Sequence, residues 1–328
     1  MSVEIDPDML PMLEAMRAVP SVDYAAMPIG EARQIFEQGA AFWSAMAPEL
    51  HAVRELALDG AGGPIRARLY RPAAGRLPLV VYVHGGGWTF GSVDSHENEM
   101  RYLALESGAA VLGFDYRLAP ERPFPAGLDD TLAVIAAVRR GVLGQDLDAT
   151  RLALAGDSAG ANLVLGALLA LRRTGLAPPC AAALFYGCYA PDFGTQSHRL
   201  FGDGQFGLTS ARMRWYWQNY LAGDATPPEA TISTEATPLA AELSGLPPLY
   251  LLAAGLDPLR DDTPALASRA AEAGVAHKFI TVPGVIHGFL GRAPRLPAAR
   301  RALAAAGAFL AQHQIKREEN QDGTQDIP

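Results

Sequence analysis

Ser158 lies at the centre of a short turn sequence that could carry nucleophilic chemistry. Residues 156–160 read Gly-Asp-Ser-Ala-Gly and separate an apolar run typical of a buried strand from a run with helical spacing. A serine in such a turn exposes its hydroxyl above a sheet and directs the next backbone N–H toward the same point. A tight turn that needs small residues would explain the glycines equally well. Because a hydroxyl is a weak nucleophile near neutral pH, it needs a base that an acid orients.

His287 is the candidate base among the 7 histidines of the chain. It lies in a loop that follows the last predicted strand, 277–282, and a glycine comes directly after it. His84 belongs to a glycine turn and is expected to brace that turn. The other histidines lie before the first strand, among polar residues, at a strand start or near the tail. His287 is therefore the histidine expected in a loop at the carboxyl ends of the strands, where such sheets bind ligands.

Asp257 is the candidate acid, because it follows the apolar run of the strand predicted at 249–253. Asp261 and Asp262 are alternatives, but they begin a helical pattern, where acidic residues commonly cap the helix or complement its dipole. A serine, an acid and a histidine at three strand ends are much less expected by chance than any one of them alone.

Three consecutive glycines, 85–87, directly follow the strand predicted at 79–83. A flexible loop would explain them, yet acyl transfer requires preorganised N–H donors for the oxyanion, and glycines let backbone amides approach a substrate closely. The N–H groups of Gly86, Gly87 and Ala159 are therefore the candidate oxyanion donors.

Short strand patterns alternate with helical patterns from residue 52 onward. The first two strands alternate in polarity, as half-exposed antiparallel strands do, whereas the middle ones are continuously apolar, as strands covered on both faces are. This order predicts an α/β fold with a mostly parallel eight-stranded sheet and helices on both faces. The predicted strands are 52–57, 65–70, 79–83, 109–115, 151–155, 181–186, 249–253 and 277–282. The predicted helices are 95–106, 127–139, 159–173, 262–273 and 297–312.

Composition and charge exclude several classes of function. The 328 residues carry a formal net charge of −8 without a basic cluster, which argues against nucleic-acid binding. No apolar run reaches the roughly 18 residues of a membrane span, and the acidic N-terminal stretch does not resemble a secretory signal. Cys180 and Cys188 flank an extended apolar segment, so they are expected to be free thiols in a reducing, cytoplasmic environment. A homodimer is an open alternative to a monomer.

Two regions interrupt the alternation of strands and helices, and the chain ends in a polar tail. Residues 1–48 have helical spacing before any strand, and residues 190–230 form an aromatic insert that contains glycines. They could pack at the edge of the sheet or cover the carboxyl ends of the strands, where open α/β sheets bind ligands. Residues 49–315 form the predicted catalytic domain, and the tail 316–328 is predicted to be disordered. The candidate substrate contacts are Trp88, Tyr189, Phe206 and Met213.

Five motifs make the chain similar to a known family. It resembles the hormone-sensitive lipase family of bacterial carboxylesterases, in the branch that carries GDSAG. The motifs are HGGGW at 84–88, DYRLAPE at 115–121, GDSAGANL at 156–163, DPLRDD at 257–262 and HGF at 287–289.

The resemblance implies the α/β-hydrolase fold, a catalytic triad of Ser158, Asp257 and His287, and an oxyanion hole made by Gly86, Gly87 and Ala159. It also implies a cap built from the N-terminal segment and from an insert after the sixth strand. The expected reaction is hydrolysis of short- to medium-chain carboxylic esters through a serine acyl-enzyme, with no metal and no organic cofactor. An amidase or formamidase on the same fold is an alternative, because the triad does not distinguish an ester from an amide. A non-catalytic small-molecule receptor is a further alternative.

Overall fold

The sheet at the centre of the protein contains every strand that the sequence predicts. The computed structural model describes residues 4–19, 21–223 and 233–322. Within these residues, eight strands form one sheet in the order β1-β2-β4-β3-β5-β6-β7-β8. The strands are β1 (Ala52–Gly60), β2 (Gly63–Arg71), β3 (Leu77–Val83), β4 (Ala110–Phe114), β5 (Leu147–Asp157), β6 (Ala182–Phe185), β7 (Leu249–Leu256) and β8 (His277–Ile286).

Strand direction follows the polarity patterns. The half-exposed strand β1 pairs antiparallel with β2, and β2 pairs antiparallel with β4. All other neighbouring strands are parallel. The parallel strands β3 to β6 are almost completely buried, because helices cover both faces of the sheet.

Helices pack against both faces of the sheet, as predicted. Alternate residues of β3 show this directly: Leu79 and Val81 belong to the apolar cluster that contains α4, α5 and α8, whereas Val80 and Tyr82 belong to the cluster that contains α3 and α9. The helices in the described residues are α1 (Leu10–Arg17), α2 (Ile29–Ser44), α3 (Glu97–Ser107), α4 (Ala126–Arg139), α5 (Ala159–Arg173), α6 (Gln196–Phe201), α7 (Ser210–Tyr220), α8 (Asp262–Glu272) and α9 (Pro297–Asp322).

The N-terminal helices and the aromatic insert contact each other. Arg17, at the end of α1, donates a hydrogen bond of 3.2 Å to the backbone oxygen of Gln205. Arg212 of α7 donates one of 2.8 Å to the backbone oxygen of Val22, and its guanidinium lies 4.8 Å from the centre of the Tyr24 ring. Residues 224–230 of the predicted insert lie outside the described residues.

The prediction for the tail needs a correction. Helix α9 continues to Asp322, so residues 316–322 of the tail predicted to be disordered are helical. This stretch is rich in lysine, arginine, glutamate and glutamine, which favour helices and can extend one that tertiary packing has already formed. Residues 323–328 lie outside the described residues.

Two further predictions concern the cysteines and membrane spans. Cys180 and Cys188 are free and buried, as predicted. None of the helices in the described ranges is long and apolar enough to cross a membrane.

Candidate active site

Three side chains meet directly beyond the carboxyl ends of three parallel strands. Ser158 follows β5, Asp257 follows β7 and His287 follows β8. His287 Nε2 lies 2.9 Å from Ser158 Oγ, and His287 Nδ1 lies 2.7 Å from Asp257 Oδ2. The other carboxylate oxygen of Asp257, Oδ1, accepts a 2.8 Å hydrogen bond from the backbone N–H of Leu259. These contacts form one hydrogen-bonded line from a hydroxyl through an imidazole to a fully buried carboxylate.

The turn at Ser158 is strained and closely packed. Ser158 has a φ of 52°, a conformation that is unusual for a residue with a side chain. Its backbone N–H donates a 2.9 Å hydrogen bond to the Phe185 oxygen, which ties the turn to β6. A Cβ at Gly160 would lie 2.0 Å from the Val83 oxygen, so only glycine lets helix α5 start this close to β3. The glycine therefore serves the close approach that holds the serine in place.

The glycine turn after β3 faces the same cavity as Ser158. Gly86 has a φ of 105° and Gly87 has a φ of 60°, and both line that cavity. Ala159 is the first residue of α5, and N–H groups in the first turn of a helix have no acceptor within the helix. Gly86 and Gly87 thus line the cavity of Ser158, and Ala159 directly follows Ser158 in the chain, whereas the catalytic role of these three N–H groups stays a prediction.

Asp157 connects the serine turn to the glycine turn. Its Oδ1 accepts a 2.9 Å hydrogen bond from the Gly85 N–H and another of 2.9 Å from the Tyr82 hydroxyl. Its Oδ2 lies 3.7 Å from His96 Nε2. Burial disfavours the charge on His96, but the nearby Asp157 carboxylate outweighs burial and raises the pKa of His96 to about 9. The site therefore contains a second histidine with a raised pKa, which the sequence analysis placed merely among polar residues.

The histidine of the hydrogen-bonded line is more basic than an isolated histidine. Burial disfavours the imidazolium, but the charge of Asp257 and its hydrogen bond outweigh that effect, and Asp157 adds to them. The pKa of His287 is consequently raised above 6.5.

The two alternative acids contact the chain that follows β6 rather than the imidazole. Asp261 Oδ2 accepts a 2.8 Å hydrogen bond from the Ser197 N–H, and Asp262 Oδ2 accepts one of 2.7 Å from the Tyr189 N–H. Burial raises the pKa of Asp262 to about 7. Their positions at the start of α8 thus stabilise the chain after β6, and Asp257 is the acid beside His287.

A cavity of about 340 Å³ contains Ser158 and His287. Its wall combines the strand ends with side chains from the N-terminal segment and from the insert. Apolar and aromatic side chains of these two regions that line it include Met16, Tyr24, Phe36, Trp43, Leu208 and Tyr216.

Two of the four predicted substrate contacts line this cavity and two do not. Phe206 and Met213 are part of its wall. Trp88 is 1% exposed and stacks on Tyr220, with ring centroids 4.1 Å apart. Tyr189 is fully buried in the apolar core on the α5 side of the sheet. Both rings are enclosed by protein and do not line this cavity, so its lining does not support the predicted substrate contact of Trp88 and Tyr189, which stays a prediction.

Several charged side chains of the cavity wall were not predicted as site residues. His96, Glu99 and Arg292 all line the cavity that contains Ser158. A charged residue on the buried face of a helix pattern was the available signal for Glu99. No local pattern marks Arg292, which follows the histidine loop. In the described part of the chain, no group of three or more histidine, cysteine, aspartate or glutamate side chains is placed to hold a metal ion.

A serine, a carboxylate and a histidine in this order along the chain, at the strand ends of a mostly parallel sheet, are the arrangement of an α/β hydrolase. Residues 80–291 match the sequence profile of a family described by its alpha/beta hydrolase fold. The chain belongs to this family, and its resemblance to the hormone-sensitive lipase family of bacterial carboxylesterases is confirmed.

Relatives with known names cover most of the chain. A carboxylesterase of Mycobacterium tuberculosis is 36% identical over 243 residues, which are 73% of this chain and 75% of that protein. An ethyl acetate hydrolase of Pseudomonas putida is 32% identical over 323 residues, which are 95% of this chain and 100% of that protein. The solved structure of an esterase from the archaeon Pyrobaculum calidifontis has a TM-score of 0.88 and 34% identity, and covers 94% of this chain and 99% of that chain.

Proposed function

We propose that the protein is a serine carboxylesterase that hydrolyses esters of short and medium chain length. The observation that carries this proposal is the hydrogen-bonded line from Ser158 through His287 to Asp257, which opens into a small cavity lined by both apolar and polar side chains. The names of the relatives, which include a carboxylesterase, an esterase and an ethyl acetate hydrolase, support the same reaction.

The proposed reaction passes through an acyl-enzyme. His287 Nε2 removes the proton from Ser158 as Oγ attacks the ester carbonyl carbon, and the same nitrogen then gives the proton to the leaving alcohol. Water repeats these steps on the acyl-serine and releases the acid. Asp257 holds the proton on Nδ1, so that Nε2 is free to act as base, and its charge stabilises the imidazolium that forms.

The developing negative charge on the carbonyl oxygen needs donors that are already in place. We assign this role to the N–H groups of Gly86, Gly87 and Ala159, because they lie on the two turns that flank Ser158. Asp157 holds these turns together through its bond to the Gly85 N–H, which limits how far the donors can move. Removal of one such preorganised donor lowers kcat by a factor on the order of 10² to 10³.

We further propose that residues 1–48 and 190–230 act as a cap over the catalytic domain. Their hydrogen bonds to each other and their share of the cavity wall support this role. Arg33 of α2 also donates 2.9 Å hydrogen bonds to the backbone oxygens of Thr89 and Ala119, next to the glycine turn. A cytoplasmic location is proposed on the two free cysteines, because reducing compartments keep thiols unpaired.

The size of the cavity predicts the preferred chain length. About 340 Å³ is near the lower end of the range of roughly 300 to 1,000 Å³ for small-molecule sites. Each methylene that fits should contribute up to roughly 0.8 kcal/mol, and each that collides should cost more. We expect p-nitrophenyl acetate to hexanoate esters to have the highest kcat/KM, with a steep decline beyond about octanoate.

A cavity variant and a surface variant sharpen this experiment. Phe206→Ala enlarges the cavity and should move the optimum toward longer esters, whereas Leu200→Ala removes an exposed side chain of the same insert and should leave the optimum in place. Faster turnover of dodecanoate esters or emulsified triglycerides than of butyrate by the natural sequence would contradict the capped-cavity proposal.

The raised pKa of His287 predicts where activity is lost in acid. Only the neutral imidazole can accept the Ser158 proton, so kcat/KM should fall as the pH drops through a value above 6.5. Measuring kcat/KM between pH 5 and 9 at constant ionic strength gives the pH at which this activity falls to half, which is the midpoint of the acid limb. Glu99 is the control, because burial raises its pKa to about 7: Glu99→Gln should keep the acid limb. A limb that disappears in Glu99→Gln, or a midpoint below 6, would assign the titration to another group.

A further inference from the structure

Arg292 places a guanidinium without a hydrogen-bond partner in the wall of the catalytic cavity. The residue ends a short 3-10 helix, Phe289–Arg292, that directly follows His287 and Gly288. Its guanidinium carbon lies 4.8 Å from the centre of the Trp43 ring. Within the described residues it forms no ion pair and no hydrogen bond, and burial lowers its pKa. A side chain with five N–H donors therefore lines a cavity that also holds Ser158 and His287.

Glu99 supplies the same cavity with a carboxyl group of which one oxygen, Oε2, has no hydrogen-bond partner in the described residues. The residue is 5% exposed. A Cβ on Gly291 would lie 2.8 Å from Glu99 Oε1, so the carboxyl group lies beside the backbone that immediately precedes Arg292. A donor group and a carboxyl group with an oxygen that lacks a hydrogen-bond partner thus lie close together at one side of the cavity.

The other charged groups of the cavity have partners. Asp157 is bonded to Tyr82 and Gly85 and lies near His96, and Arg212 is bonded to the Val22 oxygen. Arg292 and Glu99 attract each other electrostatically but form no hydrogen bond in the described residues, so a plain alkyl ester that displaced water from the cavity would leave these groups without a hydrogen-bond partner. Burying polar groups in that way is unfavourable. The cavity wall is therefore better matched to a ligand that has a polar group of its own.

We infer that the substrate is an ester that carries a hydroxyl group, which accepts a hydrogen bond from Arg292 and donates one to Glu99. This inference rests on the proposed ester hydrolysis and names its substrate class. A hydroxyl group both donates and accepts, so it can satisfy both side chains at once. A carboxylate would pair with the guanidinium, but it has no hydrogen to donate to Glu99 Oε2, and it would repel Glu99 wherever that group is ionised.

Four propyl and butyryl esters of similar size test the inference. Propyl butyrate carries no additional polar group. Propyl 3-hydroxybutyrate carries a hydroxyl group on its acid part, and 3-hydroxypropyl butyrate carries one on its alcohol part. Monopropyl succinate carries a carboxylate. The measured quantity is kcat/KM of each ester relative to propyl butyrate, from acid release in a pH-stat. For at least one hydroxylated ester, this ratio should fall about 10- to 100-fold in Arg292→Met, because a hydrogen bond to a charged donor is lost.

Arg295→Met is the matched control. Arg295 lies three residues further along the chain, and its guanidinium lies 5.6 Å from the centre of the Phe42 ring, but it does not line the cavity. The ratio should therefore be unchanged in Arg295→Met. Arg292→Lys keeps the charge and loses the planar fork, so an intermediate ratio is expected. It also provides the comparison if Arg292→Met fails to fold, and covalent titration of Ser158 gives the active fraction of each variant.

The possible results distinguish a failure of the substrate inference from a failure of the proposed ester hydrolysis. The inference would be overturned if the kcat/KM ratios of the hydroxylated esters were the same in the natural sequence, in Arg292→Met and in Arg292→Lys. Hydrolysis of propyl butyrate would then still support the proposed esterase activity. A ratio that falls only for monopropyl succinate would overturn the hydroxyl in favour of an anion. If the natural sequence hydrolysed none of the four esters, the proposed function would fail and the inference with it.

Discussion

Replacement of Ser158 by alanine is expected to abolish both ester turnover and covalent labelling by an organophosphate. Removal of the nucleophile of such a triad lowers kcat by roughly 10⁶-fold. The loss should be chemical rather than structural, because the Ser158 N–H bond to Phe185 is a backbone contact that alanine retains. Mass mapping of the adduct on the natural sequence should identify the peptide that contains Ser158.

A second serine–histidine pair in the protein provides the control. Ser210 Oγ lies 2.8 Å from His198 Nδ1, but Ser210 does not line the cavity. Burial lowers the pKa of His198, so this histidine is a weaker base than His287. Ser210→Ala should therefore retain labelling and turnover. An adduct on Ser210, or on any serine other than Ser158, would contradict the assignment of Ser158 as the nucleophile.

The order of strands and helices could be predicted because each is encoded in a short stretch. The apolar run of β5, the small residues of 156–160 and the helical spacing of α5 are adjacent in the chain, so strand, turn and helix follow from local patterns. The same reasoning located Asp257 and His287, which directly follow β7 and β8. Parallel strands end at one edge of the sheet, so predicting the strands also predicted that these side chains would meet.

The lining of the cavity could not be predicted in the same way. Trp88 is next to the glycine turn, yet its ring stacks on Tyr220, which lies 132 positions later in the chain. Tyr189 is similarly enclosed by the core. Both outcomes depend on how the insert folds over the sheet, and such packing between distant segments leaves no periodic signal in the sequence.

The charged residues of the cavity wall could not be predicted from local sequence patterns either. His96, Glu99 and Arg292 would be expected on the surface from residue type alone, since charged side chains are rarely buried without a partner. Their burial follows from the contact between α3, the loop after β8 and the N-terminal segment. The hydrogen-bonded line could therefore be inferred from local motifs, whereas the groups that we propose to select the substrate required the three-dimensional structure.

Asp257→Asn should lower kcat by up to about 10⁴-fold while leaving Ser158 accessible to substrate. The carboxylate oxygen 2.7 Å from His287 Nδ1 holds the proton on that nitrogen. An asparagine can instead present its NH₂ group to Nδ1, which stabilises the tautomer with the proton on Nε2. That tautomer cannot accept the Ser158 proton, so the base is lost although the geometry is kept. Steady-state kinetics with p-nitrophenyl butyrate, corrected for active fraction, measures the effect.

Asp262→Asn is the matched comparison, because this residue is also buried and follows the same strand. Its carboxylate accepts the Tyr189 N–H, and the amide oxygen of asparagine can accept the same bond. We therefore expect a far smaller loss of kcat than in Asp257→Asn, together with an acid limb that stays above pH 6.5, since His287 keeps its carboxylate neighbour. A large loss in Asp262→Asn with near-normal kcat in Asp257→Asn would mean that the acid that orients His287 during turnover is the one at the start of α8.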